Sequence, residues 1–347
     1  MVANLFINLL KLISLPLIFL SIVSTIGGMK NIQTARSLGG KFLSYTLLTT
    51  VVAASVALIL YVIVDPASHA NLDHFVGADH SVASGNLKKG SYWNFLLASI
   101  PSNPIDPFTE SNVLGVLFLA LLISAALIAL PDTKKSVVNE FFSGLLAVVL
   151  KIASYIMLLM PLAVFSFMIL FLKDMRTGLN LESLLLYVLC IVSANLFQAI
   201  VILPSILMTK GFNPWKLLKA MWPALTTAFF SKSSAATLPM AIKCAEENAG
   251  MKKEVTRVGF PMCTTINMNA CAAFILTTVL FVSSVHGYQF SNWELVSWIF
   301  IASIAAIGNA AVPMGCYFLA SSFLASQSIP LQIMGAILPF YTILDML

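Results

Sequence analysis

The sequence predicts an all-α, multi-pass membrane protein in which some helices are broken or re-entrant. The first observation is composition: 59% of the 347 residues are hydrophobic and only 10% are charged, whereas soluble globular domains carry about 25% charged residues. The second is that several apolar segments reach the roughly 20 residues that a helix needs to span the hydrocarbon core. The third is that polar or Gly/Pro-containing runs divide other apolar segments. Irregular backbone at membrane depth survives only where it is packed in protein or lines a wet cavity, so these breaks indicate a site.

Composition also narrows the function classes. The net charge of +5 belongs to a chain with a mean hydropathy of +0.94, so we do not expect a nucleic-acid partner. The five cysteines are odd in number and show no CxxC or Cys/His metal spacing, so neither a disulfide framework nor a transition-metal site is expected. A membrane enzyme would need a catalytic pair within the bilayer. We do not expect such a pair, because His286 lies at the edge of a span and Asp345 is the sole acid of the last apolar segment.

Seven apolar segments are long enough to be membrane spans. They lie at 3–28, 41–64, 113–130, 139–172, 183–208, 258–285 and 330–347. The fourth is over-long, and we expect it to be tilted, kinked at Pro161 or divided. The 65–91 loop holds His69, His74 and His80. It lacks the tight spacing of metal ligands, so we expect a solvated loop.

Two further apolar pieces, 214–249 and 293–328, are each split near the middle by polar or Gly/Pro-containing sequence. Each half is too short to cross alone, so we interpret both as re-entrant hairpins. Short loops that carry Lys and Arg favour the cytoplasmic side. The basic connections all fall on one side if the seven spans alternate and both hairpins return to their side of entry, which supports this interpretation.

The first hairpin carries a polar run, Ser231 to Pro239, inside apolar sequence. Ser233 and Ser234 would present free backbone N–H groups at the start of a helix from about Ala235, and Lys232 lies beside them. Helix N-termini bind anions because their first N–H groups lack partners and the helix dipole is positive there. A substrate carboxylate would suit this tip. Alternatively, the serines only cap a buried helix.

The 258–285 span contains a second polar run, with Thr264, Thr265, Asn267 and Asn269 near its middle. Amide and hydroxyl oxygens, together with carbonyls freed by unwinding, are the surroundings that a hard cation such as sodium uses. Hydrogen bonding between helices is the alternative that the sequence leaves open.

Two later features supply a candidate gate and a candidate counter-charge. The second hairpin breaks between Ile307 and Gly315, where Gly308 and Pro313 also favour an unwound tip that could open and close. A tightly packed, kinked pair of core helices would leave a similar pattern. Asp345 lies in the last apolar segment. An acidic side chain within the membrane indicates a functional role, and a substrate ammonium group is its natural partner. An interfacial position for Asp345 is the alternative.

These residues together resemble the dicarboxylate/amino acid:cation symporter family, which includes the excitatory amino acid transporters and the archaeal glutamate transporter homologues. The resemblance covers nearly the whole chain. The matching motifs are Leu9-Leu10-Lys11 with Leu15-Pro16-Leu17 in an early helix, Pro101-Ser102-Asn103-Pro104 in a loop, Ser231 to Pro239 at the first hairpin tip, Asn267-Met268-Asn269 where the family has Asn-Met-Asp, Gly308 to Pro313 at the second tip, and Ile343-Leu344-Asp345-Met346 in the last helix.

The resemblance implies secondary active symport of an amino acid or dicarboxylate with sodium or another cation, by alternating access of a mobile transport domain. It implies a homotrimer in a lipid bilayer, in the inner or plasma membrane of a bacterium, with no cofactor besides the coupling ion. The scaffold and transport helices would lie at 1–64 and 92–208, corresponding to the family's helices two to three and four to six. The 65–91 loop would be extracellular, and 214–347 would form the transport core, ending in a partial last helix at 330–347.

Carried over by position, the resemblance implies two sets of site residues. The substrate would be bound by Lys232, Ser233, Ser234, Cys271, Val312, Gly315 and Asp345. Sodium would be held by Thr49, Thr50, Thr265, Asn267, Asn269, Ile307 and Asn309.

The sequence departs from the family's pattern at several of these positions. Asn269 replaces a sodium-coordinating Asp, which removes a negative charge, and Cys271 replaces a Thr with a weaker donor. Asn309 and Ala306 replace hydroxyl residues. The family's first helix, and its arginine and later Asn and Asp ligands after Asp345, do not occur in the sequence. The alternative is therefore a truncated or degenerate, transport-incompetent relative that retains the scaffold, with or without a residual ion-conducting pore. Whether the substrate is acidic or neutral is left open.

Overall fold

The computed structural model of the chain is built from helices, and no strand occurs in the residues that it describes. These residues are 2–27, 32–68, 101–110, 112–159, 161–163, 165–166, 169, 181–231, 234–309, 314–327, 329–344 and 346. The apolar helices, together with the absence of strands from the described residues, confirm the predicted all-α membrane class.

The helices of the first half are α1 (Val2–Gly27), α2 (Ile32–Val64), α3 (Asp106–Thr109), α4 (Val113–Ala129), α5 (Asp132–Leu158) and α6 (Leu181–Phe197), followed by a π-helical turn at Gln198–Ile202 and α7 (Leu203–Thr209). Those of the second half are α8 (Pro214–Ser231), α9 (Ser234–Lys243), a π-helical turn at Cys244–Asn248, α10 (Lys253–Ile266), α11 (Asn269–Val285), α12 (Asn292–Gly308), α13 (Gly315–Ser326) and α14 (Gln332–Leu344).

Within the described residues, four helical stretches are long and apolar enough to cross a membrane. They are Phe42–Val64, Thr133–Ile156, Leu181–Thr209 and Gly259–Val285. Three of them agree closely with the predicted spans. The fourth predicted span, 139–172, begins earlier and is divided: α5 ends at Leu158, and helix resumes at 161–163. The break coincides with Pro161, which has no backbone N–H for the helical hydrogen-bond ladder.

Helix α11 forms the centre of the described structure. It packs against α2, α6, α12 and α13, and it is buried on nearly all sides, with Leu276, Val279 and Phe281 fully inaccessible. A helix that is apolar all round is an inner helix, because it has no face suited to water. The ring of Phe281 stacks on Tyr187 of α6 at a centroid distance of 4.7 Å, and the Tyr187 hydroxyl pairs with Thr278 Oγ1 at 2.7 Å.

The predicted break in the 258–285 span is confirmed. Helix α10 ends at Ile266 and α11 begins at Asn269, and Asn267 and Met268 between them have non-helical backbone angles. The break therefore places the first turn of α11, including Asn269, beside the middle of α2.

Both predicted hairpins consist of two helices. In 214–249 the arms are α8 and α9, which pack against each other, and α9 begins one residue before the predicted start. In 293–328 the arms are α12 and α13, each packed on α11. The re-entrant course of these hairpins and the division into scaffold and transport domains remain predictions.

Candidate functional site

Asn269 and two threonines of α2 form the best-defined polar cluster at the helix break. Asn269 Oδ1 lies 2.9 Å from Thr50 Oγ1 and 3.4 Å from Thr49 Oγ1. Both threonines are buried, and Asn269 is partly buried. The fold thus brings together three predicted cation residues that are about 220 positions apart in sequence.

The two threonine hydroxyls have four acceptor contacts but only two protons. Each threonine hydroxyl also lies close to the Thr46 carbonyl oxygen, at 3.1 Å for Thr49 and 2.7 Å for Thr50. A hydroxyl has a single proton, so it cannot donate to Asn269 and to Thr46 at the same time. When both protons point to Thr46, the hydroxyl lone pairs and Asn269 Oδ1 face one another. Such neutral oxygen surroundings suit a hard cation such as sodium.

The other predicted cation residues lie at the breaks of α10–α11 and of the second hairpin. Asn267 is exposed in the break, and Thr265 belongs to the last turn of α10. Ile307 is the penultimate residue of α12, and Asn309 is the C-cap of that helix and is buried. The Asn309 amide contacts sulfur: Nδ2 donates to Cys271 Sγ at 3.2 Å and lies 3.7 Å from Cys316 Sγ.

Cys271 and Cys316 form a disulfide that joins the first turn of α11 to the first turn of α13. The expectation from cysteine spacing that no disulfide would form is wrong for this pair. The two residues are 45 positions apart, and the packing of α13 on α11 brings their Cα atoms to 5.4 Å. As a disulfide sulfur, Cys271 Sγ has no S–H to donate, so its contact with Asn309 is that of an acceptor.

The second hairpin is tightly packed beside its tip. Met314 has a left-handed backbone conformation, with φ 57°. At Gly315 a Cβ atom would overlap Asn309 Oδ1, so this position requires glycine. On the other arm, Ser21 of α1 donates to the Gly308 carbonyl oxygen at 2.8 Å. The end of α12 is therefore tied to α1, and the start of α13 fits around Asn309.

The first hairpin shows part of the predicted substrate tip. Ser234 is the first residue of α9 and is exposed. Ser231 Oγ at the end of α8 lies 3.3 Å from Thr237 Oγ1 of α9, which links the two arms. Four predicted substrate residues lie outside the described residues: Lys232, Ser233, Val312 and Asp345. Residues 69–91 of the predicted loop, with His69, His74 and His80, also lie outside them.

Gln198 is a polar residue near the cluster that sequence reasoning missed. It is 6% exposed, and its Nε2 donates to the Thr49 carbonyl oxygen at 3.2 Å. The available signal was a pair of amide side chains, Asn195 and Gln198, within the apolar 183–208 span, but hydropathy does not show which neighbouring helix an amide contacts. Across the described part of the chain, no group of three or more His, Cys, Asp or Glu side chains converges as metal ligands.

Comparison with known proteins finds one transporter family that matches the entire chain. The family described as the sodium:dicarboxylate symporter family matches residues 1–347. A C4-dicarboxylate transport protein of Bacillus subtilis is 28% identical, over 94% of this chain and 77% of the relative. One from Rhizobium johnstonii is 27% identical, over 96% and 75%. The human neutral amino acid transporter B(0) is 26% identical, over 99% and 69%.

Proposed function

Because this chain belongs to the sodium:dicarboxylate symporter family, and is a membrane transporter rather than an enzyme, we propose that it works by alternating access. A mobile transport domain would carry an amino acid or a dicarboxylate across the bilayer together with sodium. The single observation that carries this proposal is the cluster of Thr49, Thr50 and Asn269 at the break before α11. It supplies neutral oxygens of the kind that a coupling cation needs, at a point where a helix is interrupted.

The contacts around α11 support a coupling between this cluster and the second hairpin. Asn269 belongs to the cluster, and Cys271, two residues later in the same helical turn, is bonded to Cys316 at the start of α13. A cation that draws Asn269 towards α2 therefore acts on a turn that is joined directly to the second hairpin. We expect cation binding to favour the closed arrangement of that hairpin.

The substrate contacts follow the sequence prediction. The exposed start of α9 at Ser234, with Ser233 and Lys232, would hold a carboxylate, because the first N–H groups of a helix favour anions. Asp345 would take an amino group, and the backbone near Val312 and Gly315 would close over the substrate. The similar proteins are named for dicarboxylates and for neutral amino acids, so both classes are candidate substrates.

We also propose a homotrimer.

Uptake into proteoliposomes tests this function. Purified protein would be reconstituted and supplied with labelled succinate, aspartate or alanine, with an inward sodium gradient or with choline in place of sodium. We expect at least one substrate to accumulate only with the sodium gradient, and a sodium ionophore to abolish the accumulation. Uptake that is indifferent to the gradient would overturn the coupling.

A transport-incompetent relative is the second candidate, and the disulfide is the observation that favours it. A covalent bond between α11 and α13 restrains the second hairpin, so an oxidised protein could fail to open. Uptake with and without a reductant distinguishes the two candidates. A protein that transports in neither state, but passes ions in a bilayer recording, would support the second candidate.

A further inference from the structure

Gln198 has an unusual place in a mainly apolar helical stretch. It is the first residue of the π-helical turn Gln198–Ile202 between α6 and α7, and it is buried. A π-helical turn interrupts the regular hydrogen-bond ladder, and such turns are frequent at functional sites. Here the turn lies where α6 packs against α2, the helix that carries the two threonines.

The two ends of its amide have different environments. Nε2 donates to the Thr49 carbonyl oxygen at 3.2 Å. Oε1 is buried and has no hydrogen-bond partner within the described residues. A buried amide oxygen without a partner lowers stability, and an apolar residue of similar shape would avoid that loss. Packing alone therefore does not account for glutamine at this position.

Thr49 connects Gln198 to the cation cluster. Its carbonyl oxygen accepts from Gln198, and its hydroxyl lies 3.4 Å from Asn269 Oδ1. Holding that carbonyl fixes the middle of α2 against the π-helical turn that follows α6. It thereby sets how far the threonine hydroxyls stand from Asn269.

We propose that Gln198 is a positioning residue of the cation site, and that it sets the sodium affinity through Thr49. This inference rests on the proposed function of sodium-coupled transport. It adds a third segment, the π-helical turn after α6, to a site that otherwise consists of α2 and α11. Residues on three segments define the distances between ligands more closely than residues on two.

Gln198→Leu tests the inference because leucine has a similar size and lacks both amide ends. We expect the sodium concentration for half-maximal uptake to rise about tenfold, in line with the loss of one hydrogen bond. Uptake at saturating sodium should stay close to that of the wild type. The thermal unfolding temperature without sodium should be unchanged or higher, because the unpaired oxygen is removed. Sodium should also raise that temperature less than it does in the wild type.

Two control variants remove hydroxyls that donate to the carbonyl four residues earlier in the chain. Ser55 Oγ of α2 donates to the Val51 carbonyl at 2.8 Å, and Ser205 Oγ of α7 donates to the Val201 carbonyl at 2.6 Å. Ser55→Ala and Ser205→Ala should keep the wild-type sodium response. If Gln198→Leu does not fold, Gln198→Asn serves instead, because its shorter amide cannot reach Thr49 and the same rise is expected.

The outcomes separate this inference from the function on which it rests. If the wild type transports without any sodium dependence, the proposed function fails. If the wild type depends on sodium and Gln198→Leu keeps its half-saturation within about twofold, the inference fails and the function stands. A lower unfolding temperature with an unchanged sodium response would show a merely structural glutamine.

Discussion

Replacing Asn269 by aspartate should strengthen sodium binding. The side chain stays nearly the same in shape, and Oδ1 keeps its two hydroxyl neighbours at 2.9 Å and 3.4 Å. The substitution adds one negative charge next to the proposed cation. Donation from Thr49 and Thr50 to a carboxylate is stronger than donation to an amide, so in the sodium-free protein it offsets part of this gain.

The size of the expected gain in sodium affinity follows from a balance between charge attraction and the cost of desolvating the carboxylate. Two opposite unit charges 4 Å apart attract by about 4 kcal/mol at an effective dielectric constant of about 20. Moving a carboxylate into a partly buried site offsets much of this attraction. We expect a net gain of about 1.4 kcal/mol, which is a tenfold lower sodium concentration for half-maximal uptake. The same charge should lower the thermal stability of the sodium-free protein and increase the stabilisation by sodium.

The assay compares sodium titrations of uptake in proteoliposomes with sodium titrations of thermal unfolding. Asn213→Asp is the matched control, because Asn213 is an exposed loop residue whose amide oxygen accepts from the Trp215 backbone N–H. It adds the same charge outside the cluster and should leave the sodium response unchanged. An unchanged response in Asn269→Asp would refute the placement of Asn269 in a cation site.

Three further predictions concern the neighbouring structure. Gly315→Ala should destabilise the protein by about 1–3 kcal/mol because its Cβ would overlap Asn309 Oδ1; Gly144→Ala, which meets open space, should not, and equal unfolding temperatures would contradict the tight fit. Cys316→Ser should lower the free energy of unfolding by about 2–4 kcal/mol, and added reductant should act on the wild type alone; no effect of either would mean that the disulfide does not form. Burial lowers the pKa of His286, just beyond the end of α11. The contribution of neutral His286 to stability is therefore complete above about pH 6.5 and is lost as the pH falls through the lowered pKa. The unfolding temperature of His286→Asn should depend less on acid than that of the wild type, and an unaltered pH profile would contradict the burial of a neutral His286.

Much of the local structure was predictable because it depends on neighbouring residues. Apolar runs of sufficient length indicated the helices, and the polar run around Asn267 indicated the break between α10 and α11. The length of the 139–172 segment indicated that it would be tilted, kinked at Pro161 or divided, and the structure shows it divided after Leu158. For the site, the resemblance to a family named the candidate cation residues by position, and the structure brings Asn269 to Thr49 and Thr50.

The sequence by itself thus determined the membrane class, the helix breaks and the kinds of polar groups that lie near them, since hydropathy and backbone preference act over a few turns of chain. Only the tertiary structure decided which distant groups meet. Cys271 joins Cys316 across 45 residues, and Gln198 reaches Thr49 across 149. These pairings depend on which faces of α2, α6, α11 and α13 pack together. Because many helix faces here are uniformly apolar, no pattern along the chain distinguishes one packing partner from another.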